Sequence, residues 1–132
     1  MIHEEICTYE VCKLAKEKGF NEPTFDWYDY TGFYHKGFIP HELHECPRYK
    51  EYYAPTQSLL QRWLREEKGL HINVDYNHPN KSWTPTIIRM CCIPTRDTPY
   101  RLDLPSSSSY EVALEKALIY ALNMLPSRET SQ

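Results

Sequence analysis

The sequence predicts a mixed α+β fold: a three-stranded antiparallel meander in α-β-β-β-α order, with both helices on one face of the sheet. Three observations lead to this prediction. Between Pro55 and Gly69, Leu59, Leu60, Trp63 and Leu64 recur three and four positions apart, which is the period of one helix face. Residues 70–76 alternate apolar and polar side chains, as a half-buried strand does. After two further alternating stretches, residues 110–125 return to the helical period.

The N-terminal part is predicted to be a short helix followed by an irregular, aromatic-rich arm. Apolar side chains in residues 8–18 fall on one helix face, and Gly19 suits the end of that helix. Residues 21–54 are rich in aromatic side chains, glycine and proline, and no period persists in them. We expect at most one short hairpin in the arm, near residues 31–32.

The chain is expected to divide at residue 54. Residues 1–54 would form the N-terminal helix and the arm, packed on a main domain of residues 55–126, and residues 127–132 a flexible tail. Within the main domain, Pro55 suits the start of the first helix and Gly69 its end. The rings of the arm would either complete the core of the main domain or form a surface for a partner.

Three strands are predicted after this helix, at about residues 70–76, 83–93 and 100–104. Short turns join them, so they should pair in sequence order as an antiparallel meander. The last helix should begin after Ser108, whose spacing to Glu111 is that of a capping box. The apolar strand side chains expected to lie under both helices are Ile72, Val74, Ile88, Met90, Leu102 and Leu104.

Composition and charge disfavour several classes of function. The 132 residues are 41% hydrophobic and 14% aromatic, which suffices for a core without disulfides or metal. The net charge is −3, and residues 1–55 carry six Lys and Arg against ten Asp and Glu, a net of −4. Nonspecific nucleic-acid binding needs basic side chains against phosphate and is therefore disfavoured. No apolar run approaches the roughly 18 residues of a membrane span, so no membrane association is expected.

The N-terminus and the cysteines indicate a reducing compartment. The start, MIHEEICTYE, is acidic and polar, unlike a signal peptide. The five cysteines are an odd number, which fits buried thiols better than a disulfide framework. We therefore expect a cytoplasmic protein.

A group of histidines and a cysteine is the strongest candidate for metal chemistry. His35, His41, His44 and Cys46 offer the nitrogen and sulfur ligands that zinc accepts. Their spacing matches no zinc module, and the sequence has neither a paired CxxC nor an HExxH motif. We therefore expect no bound metal and no cofactor, and these four side chains would be the ligands if a metal were bound. Cys46 as a nucleophile lacks an identifiable orienting acid.

The sequence contains no catalytic signature and no cofactor-binding loop, so we expect a protein without enzymatic activity. A metal-dependent or cysteine-dependent enzyme is the second alternative. The leading expectation is protein–protein interaction, with an unidentified partner or as a homodimer. Stiff amphipathic rings lose little entropy on binding, so the arm is the expected surface. The residues assigned to it are Trp27, Tyr28, Tyr30, Tyr34, Tyr49, Tyr52 and Tyr53.

The predicted element order of residues 55–125 resembles that of double-stranded RNA-binding domains. This resemblance implies contacts to duplex RNA from the first helix, the turn between the first two strands and the start of the last helix. Arg62 and Arg65 would suit the first region, and Lys81 the second. The last helix begins with serines and Glu111 instead of lysines, which argues against this mode. A nucleic-acid-binding module is therefore the first alternative function, with weak binding expected.

Three sequence blocks carry a resemblance that covers nearly the whole chain. They are EVCKLAKEKGFNEPT, YYAPTQSLLQRWLREEKGLHI and SYEVALEKALIYALNML. Through them the chain resembles small uncharacterised proteins carried by prophages and mobile elements of gut bacteria. The resemblance implies an accessory protein of a prophage or mobile element, and it assigns no role to any residue.

Overall fold

The computed structural model describes residues 4–37, 39, 51–90 and 100–126. The chain divides into two compact units, a first unit of residues 1–56 with 125–132 and a second unit of residues 57–124. In the described residues, each unit contains a three-stranded antiparallel sheet. The mixed α+β class predicted from the sequence is confirmed. The predicted tail, residues 127–132, lies outside the described residues.

The described part of the chain contains three helices and six strands. The first unit has α1 (Tyr9–Glu17), β1 (Trp27–Tyr28), β2 (Tyr34–His35) and β3 (Tyr52–Tyr53). The second unit has α2 (Gln57–Lys68), β4 (Leu70–Asn77), β5 (Ser82–Arg89), β6 (Arg101–Asp103) and α3 (Tyr110–Asn123). None of these helices is long and apolar enough to cross a membrane.

Helix α1 is bounded by local signals that the sequence displays. The Thr8 hydroxyl oxygen accepts a hydrogen bond from the Val11 N–H at 3.4 Å, which satisfies one free donor of the first turn. At the other end Gly19 has a φ of 105°, a conformation that side-chain-bearing residues rarely adopt. The chain turns back there, and the Phe20 N–H donates to the Ala15 carbonyl at 2.9 Å. Phe20 is consequently buried.

The sheet of the second unit has the strand order β4-β5-β6, with β5 in the centre. Ile72 pairs with Ile87, and Ile87 pairs with Leu102. Directly paired residues point to the same face of a sheet, so these three side chains share one face. Ile72 and Ile87 are both buried, which identifies this as the covered face. That α2 and α3 both lie on it stays a prediction.

The predicted orientation of β5 is wrong by one residue. Ile88 and Met90 were expected beside Ile72, but Ile88 pairs with His71, whose side chain points to the other face. Met90, just after the strand, is 51% exposed. Ile87 and Ile88 are consecutive, so the apolar pattern fits either face, and only the pairing with β4 decides between them.

Pro85 lies inside the central strand, where proline is unusual because it has no N–H to donate. The Trp83 N–H donates to the Ser107 carbonyl at 2.8 Å, on the β6 side of β5. Pro85 has the same parity as Trp83, so the donor that it lacks would also face that side. Its carbonyl accepts from the Leu104 N–H at 3.0 Å, immediately after the end of β6. The missing donor therefore falls where the regular pairing has already stopped.

A buried glutamine joins the two helices of the second unit. The Gln57 amide nitrogen donates to the Glu111 carbonyl at 3.0 Å and to the Glu115 carboxylate at 2.9 Å. Both bonds lead from the first turn of α2 to the first half of α3. The same two helices carry five fully buried leucines, which are Leu60, Leu64, Leu114, Leu118 and Leu122.

Candidate interaction surface

Residues 25–37 form an aromatic hairpin, which is the candidate interaction surface. Strands β1 and β2 pair antiparallel, with Tyr28 opposite Tyr34. The Gly32 N–H donates to the Asp29 carbonyl at 3.0 Å, and Gly32 has a φ of 95°. This is the geometry of a three-residue hairpin loop with glycine in the left-handed region. The hairpin predicted near residues 31–32 is confirmed.

The arm is more regular than the sequence predicts, because a third strand completes a small sheet. Strand β3 pairs with β1 on the side opposite β2, with Trp27 facing Tyr53 and Tyr28 facing Tyr52. Two-residue strands show no alternation that a sequence pattern could reveal. The paired residues lie more than twenty positions apart in the chain, so a pattern of neighbouring residues cannot predict their pairing.

The Asp29 carboxylate holds the hairpin loop in place. Its Oδ1 accepts hydrogen bonds from the Thr31 N–H at 2.9 Å, the Thr31 hydroxyl at 2.5 Å and the Phe33 N–H at 3.1 Å. Its Oδ2 lies 2.8 Å from His35 Nε2. Desolvation alone would raise the pKa of Asp29, but the hydrogen bonds from Thr31, His35 and Phe33 together hold that pKa well below its usual range. The carboxylate therefore stays charged and fixes the loop.

Aromatic contacts join the hairpin sheet to α1 within the first unit. The Tyr9 ring meets the rings of Tyr28 and Tyr52 edge-on, with centroids 5.7 Å apart in both cases. The Tyr28 hydroxyl donates to the Cys7 carbonyl at 2.9 Å. A Cβ on Gly32 would lie 3.5 Å from the Tyr9 ring, so the loop rests directly on it. Burial, and then the nearby Tyr9, raise the pKa of the Tyr52 phenol.

Two further contacts order the strands themselves. The Trp27 and His35 rings are stacked, with centroids 4.3 Å apart and planes inclined by 16°. The Tyr34 hydroxyl donates to the Asp26 carboxylate. Desolvation, that hydrogen bond and the negative charge of Asp26 raise the pKa of Tyr34 to about 12. Tyr34 thus stays a neutral donor at physiological pH.

The same hairpin leaves four large rings in contact with solvent, and these four define the hairpin surface. Their exposed fractions are Phe25 61%, Tyr30 51%, Phe33 71% and Tyr34 39%. The two phenylalanines were not among the residues assigned from the sequence, which favoured tyrosine and tryptophan. Phe33 directly follows the loop glycine, and no local sequence signal marks its ring as exposed.

The structure divides the predicted interaction residues between core and surface. Trp27 and Tyr52 are buried, at 4% and 6% exposure. Tyr28 and Tyr53 are half-buried, and Tyr30 and Tyr34 are exposed. Tyr49 lies outside the described residues. The arm therefore supplies both an aromatic core for the first unit and an exposed aromatic surface.

The predicted metal ligands cannot be assembled from the described residues. His35 is paired with Asp29, and His41, His44 and Cys46 lie outside the described part of the chain. Among the side chains that the structure describes, no group of three or more His, Cys, Asp and Glu could hold a metal ion.

A small cavity in the first unit has a volume of about 120 Å³. Cys12 and Lys16 of α1 line it, together with Glu51. The Lys16 ammonium donates to the Glu51 carbonyl at 2.9 Å and lies 5.2 Å from the centroid of the Tyr52 ring. The lysine is therefore engaged in holding α1 to the segment that leads into β3.

The candidate nucleic-acid residues lie in the second unit and do not form a strongly basic surface. Arg62 Nε lies 3.1 Å from the Glu66 carboxylate on the exposed side of α2, which offsets its charge. Arg65 is half-buried, and Lys81 is exposed in the turn between β4 and β5. Glu111 occupies the first turn of α3, where the double-stranded RNA-binding resemblance calls for lysines.

Acid titration should reveal the Asp29 network. An aspartate in an unfolded chain has a pKa of about 3.9, and the folded value is lower, so the carboxylate stabilises the hairpin above about pH 4. That contribution is lost as the pH falls through the folded-state pKa. We expect NMR signals of the Thr31 and Phe33 amides to keep their shifts from about pH 5 to about pH 4 and to move only below. In Asp29→Asn this transition should vanish, whereas an unchanged transition would assign it to another group.

Comparison with known proteins gives no relative from which to transfer a function: no family model, no curated protein and no solved structure matches this chain.

Proposed function

We propose that this protein acts without enzymatic activity, by binding another protein through the hairpin surface. The observation that carries this proposal is the exposure of Phe25, Tyr30, Phe33 and Tyr34 on a hairpin whose loop is fixed by Asp29. The three sequence blocks described above support an accessory protein of a prophage or mobile element, and the acidic N-terminus and odd number of cysteines support a cytoplasmic one. The second unit is then a scaffold, a meander with both helices on one face.

The hairpin carries several large exposed rings on one short element. Scattered apolar residues are ordinary on a protein surface, but large rings grouped on one element are typical of contact sites. Phe33 is 71% exposed although its own backbone N–H is tied to Asp29. The ring is thus presented on a fixed backbone, and a fixed backbone loses little conformational entropy when a partner binds. Burial of such rings commonly supplies the main part of an interface energy.

Nucleic-acid binding stays the alternative, since the second unit places α2, β4, β5, β6 and α3 in the order that motivates the double-stranded RNA-binding comparison. The Arg62–Glu66 pair and the acidic start of α3 both weaken that hypothesis. Nothing in the described residues favours a metal-dependent or cysteine-dependent enzyme over these two.

Site-specific photo-cross-linking in the cells that carry the gene tests the proposal. A benzophenone amino acid replaces Phe33 in one variant and Tyr120 in a control variant. Tyr120 is a suitable control because it is 47% exposed but lies on α3, in the other unit. We expect a discrete cross-linked product from position 33 that is absent from position 120.

The mass of the product identifies the mode of binding. A product of twice the chain mass would indicate a homodimer, and any other discrete mass a different protein partner. Adding Tyr30→Ala to the Phe33 probe should reduce the yield, because it removes another exposed ring of the hairpin surface. Identical products from both probe positions, or none from position 33, would contradict the proposal.

A further inference from the structure

We infer that the hairpin surface binds an arginine-bearing segment of its partner, an inference that rests on the proposed function. Each side of this hairpin combines an exposed ring with a carboxylate, Tyr34 with Asp26 on one side and Phe33 with Asp29 on the other. Asp26 accepts a hydrogen bond from Tyr34, and Asp29 accepts one from the Phe33 N–H at 3.1 Å. Each carboxylate is therefore bonded to a residue of the hairpin surface.

A guanidinium group matches this combination better than other side chains. It is planar, stacks on aromatic faces and is always charged, and it loses less on leaving water than an ammonium does. The Asp29 side chain is 22% exposed, so its negative charge faces solvent in part. Its depressed pKa keeps it charged across the physiological range.

The N-terminal part of the chain, which contains the hairpin, is negatively charged, like the two carboxylates. Residues 1–55 have a net charge of −4, with six Lys and Arg against ten Asp and Glu. Within residues 25–37 the Asp, Glu, Lys and Arg side chains are Asp26, Asp29 and Lys36. His35 in the same segment is paired with Asp29. An acidic partner segment would be repelled at long range, and a basic one attracted.

The chain itself shows that its rings accept cations. The Lys16 ammonium lies 5.2 Å from the centroid of the Tyr52 ring in the first unit. In the second unit the Lys68 ammonium lies 5.4 Å from the Trp63 ring. Contacts of this kind, made from outside by a partner, are what the exposed rings of the hairpin surface offer.

Titration calorimetry of the full-length protein with short capped peptides tests this inference. In the three probes, arginine, lysine or glutamate alternates with glycine, at about 150 mM salt. We expect the arginine peptide to bind more tightly than the lysine peptide, because guanidinium stacks on rings and ammonium stays hydrated. The glutamate peptide should not bind.

Single variants distinguish binding of the arginine peptide by aromatic rings from binding by net charge alone. Phe33→Leu and Tyr30→Leu keep an apolar side chain and the net charge but remove a π face. Each should weaken the arginine peptide by roughly two- to fivefold, the range of an exposed cation–π contact. Tyr120→Leu, which alters an equally exposed ring of α3, should leave the affinity unchanged.

Three results would overturn the inference: no binding of the arginine peptide, equal affinity for the arginine and lysine peptides, or full affinity in both leucine variants. Either of the last two results would show that the arginine peptide is attracted by net charge alone. If position 33 still cross-links a protein, the proposed function stands and only the chemistry of the partner is wrong. If both experiments fail, the hairpin is not a binding surface.

Discussion

Leu64→Ala is expected to lower the free energy of unfolding of the second unit by about 2–5 kcal/mol, the range for a large-to-small change in a core. Leu64 lies on α2, which packs against α3 and β4, and its side chain is 0% exposed. Removing it deletes buried methyl groups and leaves a cavity that the surrounding leucines cannot fill without moving. The midpoint and slope of urea denaturation, followed by far-UV circular dichroism, give the change.

The matched control lies on the same helix. Leu59→Ala makes the same chemical change at a side chain that is 36% exposed. Its expected cost is below about 1 kcal/mol, since less area and no closed cavity are involved. Equal shifts of the two midpoints would show that Leu64 is not a core residue. Leu114 and Leu118 of α3 are buried as well, as a core shared by α2 and α3 requires.

Trp27→Ala should destabilise the first unit by about 3–5 kcal/mol, as loss of a buried large ring does. Trp27 is 4% exposed, pairs with residues of both neighbouring strands and stacks on His35. Its loss removes the central ring of the three-stranded sheet. Amide hydrogen exchange measures the effect, and we expect protection to fall at the amides of β1 and α1.

Phe25→Ala serves as the comparison for Trp27→Ala. Phe25 is 61% exposed and lies two residues before β1, so its removal should leave the exchange rates of α1 nearly unchanged. If Phe25→Ala loosened α1 as much as Trp27→Ala, then the exposed rings would be structural, and the hairpin surface could not be assigned to a partner on the ground of exposure.

What the sequence could predict depends on how local each signal is. Helix α2 and strand β4 follow from the change of period at Gly69, because each period directly reflects which side chains are buried. The hairpin loop follows from Gly32, which adopts the left-handed φ that its position suggests. The orientation of β5 does not follow, since Ile87 and Ile88 give the same pattern in either register.

The same local patterns predict the candidate interaction surface only in part. Aromatic density marks the arm, but it does not separate Trp27, which is buried, from Tyr30, which is exposed. That separation depends on strand pairing between residues far apart in the chain. Asp29 and His35 are six positions apart, and no sequence pattern indicates that they meet. The hairpin brings their side chains to within 2.8 Å.

Pro85, in the central strand of the second unit, affects whether a strand from another copy of the chain can be added to this sheet. Strand β6 pairs with residues 86–88 of β5, so a shorter partner leaves part of the longer strand beyond its end. An unpaired strand edge is a template for intermolecular sheet growth. Pro85 has no donor to offer at that place, and its carbonyl is already taken by Leu104. Two positions before it, on the same side of the strand, Trp83 exchanges two backbone hydrogen bonds with Ser107. Neither Trp83 nor Pro85 therefore has a backbone donor left on this side with which a strand of another copy could begin to pair.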